Sequence, residues 1–243
     1  MARYFELLGL PGAGKTTLLR SWRPLNGLIT VHQLVRRERL GSAAADRRSR
    51  FLWLLPKALK LRLLDGPAPD FWDAAQMAID YPELHDLAVH ISRRLQKVED
   101  RRSALWMLIE AFSRYGFIQR VSDPTGAVIV DEGIWQRLLF PLAASDTPNS
   151  PTLSCLPCQL PDLDGVVVLD LPIGVAVQRV VNRKSEFQAT EVMPAMAGLL
   201  PEMIEALRAR AIPITIIDAT RPPHESLADV RRFLAQRLAV RSP

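Results

Sequence analysis

The residues that most constrain the fold stand near the start of the chain, where a short apolar run leads into a glycine-rich turn. Tyr4 to Leu8 predicts a buried strand, and the next eight residues are Gly9-Leu10-Pro11-Gly12-Ala13-Gly14-Lys15-Thr16. The pattern G-x-x-x-x-G-K-[ST] between a strand and a helix is typical of loops whose backbone N–H groups surround phosphate oxygens. We call residues Gly9–Thr16 the phosphate loop, and we predict a helix over Thr17 to Ser21 after it.

The residue types of the phosphate loop suit this chemistry. Glycines let the backbone turn inward around an anion, and the N-terminus of the next helix adds partial positive charge. We expect Lys15 to bridge the β- and γ-phosphates of a nucleoside triphosphate, and the Thr16 hydroxyl to ligate Mg²⁺. The expected nucleotide contacts are Gly9, Pro11, Gly12, Ala13, Gly14, Lys15, Thr16 and Thr17.

Four further apolar runs predict strands, with helical segments between the later ones. The last three runs are apolar without alternation, which is typical of strands buried on both faces of a parallel sheet. The predicted strands are Leu28–Val31, Ala127–Val130, Val166–Leu169 and Ile214–Ile217, and the later predicted helices are Gly174–Asn182, Gly198–Ala211 and Glu225–Val240. This order predicts an α/β fold of three layers, in which helices cover both faces of a parallel sheet.

Residues 33–126 interrupt this alternation, because they hold no convincing strand and their periodicity is helical. The clearest helical pattern runs from Ile91 to Val121, where Glu110 and Arg114 stand four residues apart and are expected to pair. We therefore predict one domain over residues 1–243, with a helical insertion at 33–126 between the second and third strands.

The third predicted strand ends in Asp131, Glu132 and Gly133. A carboxylate at the end of a strand beside a phosphate loop is how such proteins hold a metal ion, so we expect Asp131 to ligate Mg²⁺. Glu132 is expected to orient or deprotonate an acceptor hydroxyl. The simpler alternative is that both acids only cap the following helix.

Two arginines follow the fourth predicted strand, after the sequence Asp170-Leu171-Pro172. Arg179 and Arg183 are four residues apart and share one face of the predicted helix. Two guanidinium groups on one face could clamp phosphate oxygens and neutralise the charge that develops during phosphoryl transfer. If they do, residues 185–193 would be a short lid. The alternative is that both arginines belong to a solvated basic face.

Together these motifs resemble those of the P-loop nucleoside and nucleotide kinases, with the thymidylate-kinase-like proteins as the nearest group. The resemblance covers residues 3–32 and 126–240 and includes Asp218-Ala219-Thr220-Arg221-Pro222 after the last strand. It implies the P-loop NTPase fold, with a parallel five-stranded sheet in the order 2-3-1-4-5. It also implies ATP and Mg²⁺ as cofactors, and an acceptor bound beside the insertion.

The resemblance further assigns individual residues. It implies that adenine lies on the loop 219–222, so that Thr220, Arg221 and Pro222 contact the nucleotide, and that Arg179 or Arg183 is a lid arginine. Thymidylate kinases carry Asp-Arg-Tyr after the third strand, and deoxynucleoside kinases carry Glu-Arg-Ser, where this chain has Asp131-Glu132-Gly133. The missing arginine normally meets phosphate, so the acceptor is left unassigned.

We expect an enzyme that moves the γ-phosphoryl group of Mg-ATP to a small-molecule acceptor, which is nucleoside- or nucleotide-like or another hydroxyl or phosphate compound. An ATP-binding or ATP-hydrolysing switch stays open as an alternative. A signalling GTPase is disfavoured because the sequence lacks Asn-Lys-x-Asp, and a transporter ATPase because it lacks Leu-Ser-Gly-Gly. His32, just after the second predicted strand, is a further candidate site residue.

The positive charge of the chain is concentrated in one stretch. Residues 36–62 hold nine Arg or Lys and two acidic residues, whereas the rest of the chain holds 22 basic and 24 acidic residues. The simpler interpretation is that this basic segment is a folded part of the insertion. It could also meet an anionic acceptor, a membrane surface or a lipid-linked acceptor, and nucleic acid is the least favoured partner. A homodimer also stays open.

The cysteines and the N-terminus bear on the compartment. Cys155 and Cys158 lie in a Pro-rich stretch, Pro141 to Pro161, that predicts a long loop, and no second pair of ligands completes a zinc site. Two cysteines cannot form a disulfide framework, and the first residues lack the apolar core of a signal peptide. We therefore predict a cytoplasmic protein.

The tryptophans are expected mainly in the core or in a pocket wall. Three of the five fall in the insertion, where an acceptor would bind. The five are Trp22, Trp53, Trp72, Trp106 and Trp135.

Overall fold

The computed structural model describes residues 3–22, 28–35, 71–121, 126–145, 160–183 and 190–240. Its strands are β1 (Arg3–Leu8), β2 (Leu28–Thr30), β3 (Ala127–Val130), β4 (Gly165–Asp170) and β5 (Ile214–Asp218). Its helices are α1 (Lys15–Arg20), α2 (Phe71–Asp80), α3 (Pro82–Arg93), α4 (Val98–Val121), α5 (Ile134–Ala143), α6 (Ile173–Asn182), α7 (Met193–Ala209) and α8 (Pro223–Val240). Residues 31–35 are also helical.

The five strands form one sheet in the order β2-β3-β1-β4-β5, and every neighbouring pair is parallel. This confirms the predicted three-layer α/β fold and its strand order. The runs of β-branched residues in β3 and β4 are buried, as expected for strands covered by helices on both faces. Because β1 lies between β3 and β4, their carboxyl ends meet at the edge where the phosphate loop begins.

Helices α2, α3 and α4 stand between β2 and β3, in the region predicted as an insertion. The helical pattern from Ile91 to Val121 is divided between two helices, since α3 ends at Arg93 and α4 begins at Val98. The physical reason is Leu95, which turns into the core with 1% exposure, while its carbonyl accepts a hydrogen bond from Arg101 Nε. The core contact outweighs the loss of helical hydrogen bonds.

Helix α4 joins the insertion to the sheet. Its Tyr115 ring meets Tyr4 of β1 edge to face, with centroids 4.9 Å apart. On its other side, Arg120 Nε donates to the buried carboxylate of Asp73 on α2 at 2.7 Å. Gly116 lies so close to α2 that an added Cβ would come within 2.5 Å of the Asp73 carbonyl oxygen. The insertion and the sheet therefore share one core.

Several element boundaries differ from the prediction. Pro141 was placed at the start of a long loop, but it lies inside α5, because Leu138, Leu139 and Leu142 bury that helix against the core. Helix α7 begins at Met193, earlier than predicted, since Met193 and Met196 are also buried.

The tryptophans divide between core and surface. Trp22 and Trp135 are buried as expected, whereas Trp72 and Trp106 are 76% and 59% exposed, so the prediction was wrong for these two. Their positions on the outer sides of α2 and α4 explain the difference, since the inner sides carry Met77 and Leu108.

Some predictions fall on residues that the structure does not describe. These are Trp53, Cys155, Cys158, the basic segment 36–62 and most of the predicted lid at 185–193. Among the helices that are described, none has the length and apolar character needed to cross a lipid bilayer.

Two helical glycines test the close packing of α4 on α2. We expect Gly116→Ala to destabilise the protein by about 1–3 kcal/mol, because the new methyl group has no space against the α2 backbone. Gly198 of α7 has no atom within 4 Å of an added Cβ, so Gly198→Ala should stabilise the helix by about 0.5–1 kcal/mol. Urea unfolding of both variants measures the difference, and equal effects would contradict the packing argument.

Candidate active site

The phosphate loop leaves β1 as a tight turn that only glycine can make. Gly9, Gly12 and Gly14 have positive φ angles of 152°, 85° and 96°. An added Cβ on Gly9 would lie 2.6 Å from the Leu169 carbonyl oxygen, and one on Gly12 would lie 2.8 Å from the Ala176 carbonyl oxygen. Contact with β4 and α6 therefore holds the loop in the compact form that directs backbone N–H groups inward.

Lys15 closes over this loop. Its Nζ donates to the carbonyl oxygens of Gly9 at 2.7 Å and Leu10 at 3.2 Å. Burial lowers the pKa of its ammonium group to about 8; Glu132 and Asp131 oppose this shift, and nearby arginines add to it. A bound phosphate group would stabilise the charged form of Lys15, because its negative charge opposes the effect of burial.

Thr16 and Asp131 meet across the gap between the phosphate loop and β3. The Thr16 hydroxyl donates to Asp131 Oδ2 at 3.2 Å. Asp131 Oδ1 is buried and has no hydrogen-bond partner among the described residues, although His32 Nε2 lies 3.9 Å away. A buried carboxylate oxygen beside a hydroxyl is a donor set that fits Mg²⁺, which binds through few protein oxygens and completes its shell with water and phosphate.

The described residues hold no cluster of three or more His, Cys, Asp or Glu side chains arranged to hold a metal ion. A metal ion held by Thr16 and Asp131 would complete its coordination shell with oxygen atoms of water and of a bound phosphate group. That is the usual arrangement for Mg²⁺ in phosphoryl transfer.

Glu132 stands at the centre of an ionic cluster that spans three elements. Its Oε2 accepts a hydrogen bond from Arg137 Nη2 of α5, and Arg114 Nη1 of α4 lies 3.5 Å away. Glu110 of α4 pairs with both arginines, including the predicted partner Arg114, and with Arg137 at 3.0 Å. Two carboxylates thus balance two guanidinium groups, and Glu132 is the most exposed of the four at 40%.

A cavity of about 270 Å³ opens between the phosphate loop and this cluster. The charged side chains on its wall are Lys15, Glu132, Arg137 and Arg183. The apolar part of its wall comes from four helices and consists of Met107, Phe140, Val180 and Met196. The cavity therefore combines a cationic end, suited to phosphate, with an apolar surface, suited to an organic molecule.

The two arginines of α6 face different surroundings. Arg183, at the C-terminal end of the helix, lines the cavity. Arg179 instead donates to the carbonyl oxygens of Gly12 at 3.4 Å and Ala219 at 3.3 Å. It thereby joins the phosphate loop to the loop after β5, so its assignment to a phosphate group stays a prediction.

The loop predicted to carry adenine is ordered by its own side chains. The Thr220 backbone N–H and hydroxyl both donate to Asp218 Oδ1, at 2.8 and 2.6 Å. Arg221 pairs with Glu225 and Asp229 of α8. Thr220, Arg221 and Pro222 are exposed at the carboxyl end of β5, and their contact with a nucleotide stays a prediction.

Solved structures with a similar fold are known. The chain resembles deoxyadenosine kinase from M. mycoides with bound dATP, with a TM-score of 0.52, 12% sequence identity and coverage of 96% of this chain and 100% of that one. The same enzyme with the products dCMP and a flexible dCDP gives a TM-score of 0.49 and 13% identity, over 96% of this chain and 99% of that one. The chain has the P-loop nucleoside kinase fold. No family model and no curated protein matches the sequence.

Within this kinase fold, the structure brings most of the predicted site residues to one place. Lys15, Thr16, Asp131, Glu132 and Arg183 surround or border the cavity. Sequence reasoning missed Arg137, which lines the same cavity from one turn inside α5. The signal in the sequence was its position five residues after Glu132, since the first turn of a helix that follows Glu132 would bring Arg137 back beside it.

A buried glutamate was also missed. Glu6 of β1 is fully buried, and its Oε1 accepts a hydrogen bond from the backbone N–H of Gln136 at 2.6 Å. Burial raises the pKa of Glu6 from its usual 4.5 to about 8, against the lowering effect of the α5 backbone N–H groups and Lys15. A polar residue within an otherwise apolar strand was the signal in the sequence.

The raised pKa of Glu6 makes stability depend on pH. Between pH 4.5 and 8 the folded protein binds more protons than the unfolded chain, so the free energy of unfolding falls as the pH rises through this window. Glu6→Gln removes this contribution, and we expect the variant to gain in melting temperature over the wild type between pH 5 and pH 8.5. Glu205→Gln, at an exposed position of α7, is the control. A constant difference across this range would contradict a neutral, buried Glu6.

Proposed function

We propose that the protein is an ATP-dependent phosphotransferase that transfers the γ-phosphoryl group of Mg-ATP to a small-molecule acceptor. The observation that carries the proposal is the shared cavity, in which the phosphate-loop Lys15 faces the same space as Glu132 and Arg137. A nucleotide switch needs only the first of these. The apolar wall from Met107 and Phe140 supports an organic acceptor beside the phosphates.

The reaction that we propose forms a bond between the γ-phosphorus and an acceptor oxygen and breaks the bond to the β-γ bridging oxygen. Lys15 and Arg183 stabilise the charge on the phosphoryl oxygens as it redistributes. Glu132 accepts the hydrogen bond of the acceptor hydroxyl, orients it toward phosphorus and takes up its proton as the new bond forms and ADP leaves. Arg114 and Arg137 hold the Glu132 carboxylate in place. Positioning and electrostatics supply most of the rate enhancement in such transfers.

Thr16 and Asp131 are the residues that would hold Mg²⁺. Bound there, the ion would neutralise part of the negative charge of the phosphate groups. The orphaned Asp131 Oδ1 supports the assignment, because a buried carboxylate oxygen without a partner carries a desolvation penalty that a cation removes.

The wider assignments belong to the same proposal. Residues 1–243 form one kinase domain that acts in the cytoplasm, and the insertion at 33–126 supplies part of the acceptor site through Met107, Glu110 and Arg114. The loop with Thr220, Arg221 and Pro222 contacts adenine. The similar deoxyadenosine kinase binds dATP, and this supports a nucleoside- or nucleotide-like acceptor.

ATP binding is the first test. We expect Lys15→Ala to weaken Mg-ATP binding by about 10- to 100-fold, because it removes a charge-assisted contact to phosphate. Lys97→Ala, at an exposed position between α3 and α4, should leave the affinity unchanged. Isothermal titration calorimetry measures both, and undetectable binding of Mg-ATP to the wild type would refute the proposal.

An acceptor screen separates the kinase from the switch. Nucleosides, nucleotides, sugars and lipid carriers are tested in turn, and the release of ADP is measured. An acceptor stimulates ADP release only if the protein is a kinase.

Arg137 provides a test of the acceptor half of the cavity. With the acceptor from that screen, we expect Arg137→Met to lower kcat by about 100-fold, since a displaced Glu132 no longer aligns the hydroxyl. The Kd for Mg-ATP should change by less than about threefold, because Arg137 is not part of the phosphate loop. Arg208→Met, which breaks an exposed pair with Glu205, is the matched control. An unchanged kcat would show that Arg137 has no role in the reaction.

A further inference from the structure

The buried carboxyl group of Glu6 has no role in the chemistry just described, yet it is costly to keep. It lies in the core strand β1, and its Oε2 has no hydrogen-bond partner among the described residues. An unsatisfied buried polar atom costs stability, so a carboxyl group in such a place calls for a specific reason. An apolar residue at this position would avoid the cost of the unpaired Oε2, but it would leave the buried Gln136 N–H without its acceptor.

Contacts of Glu6 lead to the phosphate loop in two steps. Glu6 Oε1 accepts the backbone N–H of Gln136 at 2.6 Å, and the side chain of Gln136 in turn accepts the backbone N–H of Gly9 at 2.9 Å. Both hydrogen bonds are buried, so water does not compete for them. Gln136 thus binds β1 through its backbone and the first residue of the phosphate loop through its side chain.

The same carboxyl group explains Gly133, the last residue of the Asp131-Glu132-Gly133 motif. A Cβ on Gly133 would lie 2.4 Å from Glu6 Cδ and 2.7 Å from the Tyr4 hydroxyl. Glu6 therefore occupies the space that a side chain at position 133 would need. At Gly133, the segment that carries Asp131 and Glu132 packs on Glu6 through its backbone.

We propose that Glu6 and Gln136 are positioning residues that hold the phosphate loop at a fixed distance from the acidic end of β3. The loop carries Lys15 and Thr16, and the segment between β3 and α5 carries Asp131 and Glu132. Gln136 connects both halves, because its backbone lies in the first turn of α5, directly after that segment, and its side chain holds Gly9. This proposal rests on the proposed function, because its consequence is measured as Mg-ATP binding.

The relay predicts a particular pattern in a double-mutant cycle. Glu6→Met removes the acceptor for the Gln136 N–H, and Gln136→Met removes the acceptor for the Gly9 N–H, with little change in side-chain volume. We expect each variant to weaken Mg-ATP binding by more than threefold. The double variant should be no weaker than the weaker single variant, because two members of one relay do not act additively. Independent contributions, which multiply in the double variant, would overturn the relay, as would single variants within threefold of the wild type.

Glu6→Gln separates positioning from general stability. Glutamine keeps the acceptor oxygen for the Gln136 N–H, so this variant should bind Mg-ATP within twofold of the wild type. Glu6→Met should lose affinity with little change in melting temperature at pH 8.5, because removal of a buried carboxyl group offsets the lost hydrogen bond to the Gln136 N–H. If the loss of Mg-ATP affinity correlates with the loss of melting temperature across the variants, Glu6 has only a structural role and the proposal is wrong.

Hydrogen exchange keeps the test independent of catalysis. The amide of Gly9 should exchange at least tenfold faster in Gln136→Met than in the wild type, while the amides of β5 keep their rates. If Gln136→Met does not fold, the comparison of Glu6→Met with Glu6→Gln at the same amide decides. If the wild type does not bind Mg-ATP, the proposed function fails, and unchanged Gly9 exchange is then the result that would refute the relay.

Discussion

The central place of β1 in the sheet determines where every part of the candidate site lies. On one side, Glu6 pairs in register with Val130, so that Asp131 follows β3 beside the end of β1. On the other side, Leu8 pairs with Val168, and the next residue of β4 presents its carbonyl oxygen to Gly9. Parallel strands that end together bring the loop, the carboxylates and the α6 arginines to one edge.

The sequence predicted the parts of this arrangement that are local. Apolar runs of β-branched residues indicate buried parallel strands. The phosphate loop is a continuous motif, and its glycines are required by the backbone conformation of the loop. The pairing of Glu110 with Arg114 followed from helical spacing alone. The break at Leu95 was not predictable in this way, because it depends on a core position that only the tertiary packing defines.

The non-local contacts were beyond a motif-based prediction. The motif after β3 lacks an arginine next to Asp131, yet Arg137 reaches Glu132 from the first turn of α5, where its N–H bonds the Gly133 carbonyl at 3.0 Å. One helical turn brings Arg137 back beside the motif, so Arg137 lies next to Glu132 in space although it comes five residues later in the sequence. The contacts of Glu6 with Gln136, 130 residues later, have no local signature at all.

Arg179 fixes the position of the phosphate loop relative to the loop after β5. Its guanidinium group holds the carbonyls of Gly12 and Ala219 together, and Gly12 itself touches the α6 backbone. The phosphate loop and the loop after β5 are therefore both fastened to one helix. The distance between the two loops is thus set by α6, so a ligand that contacts both of them must match that distance.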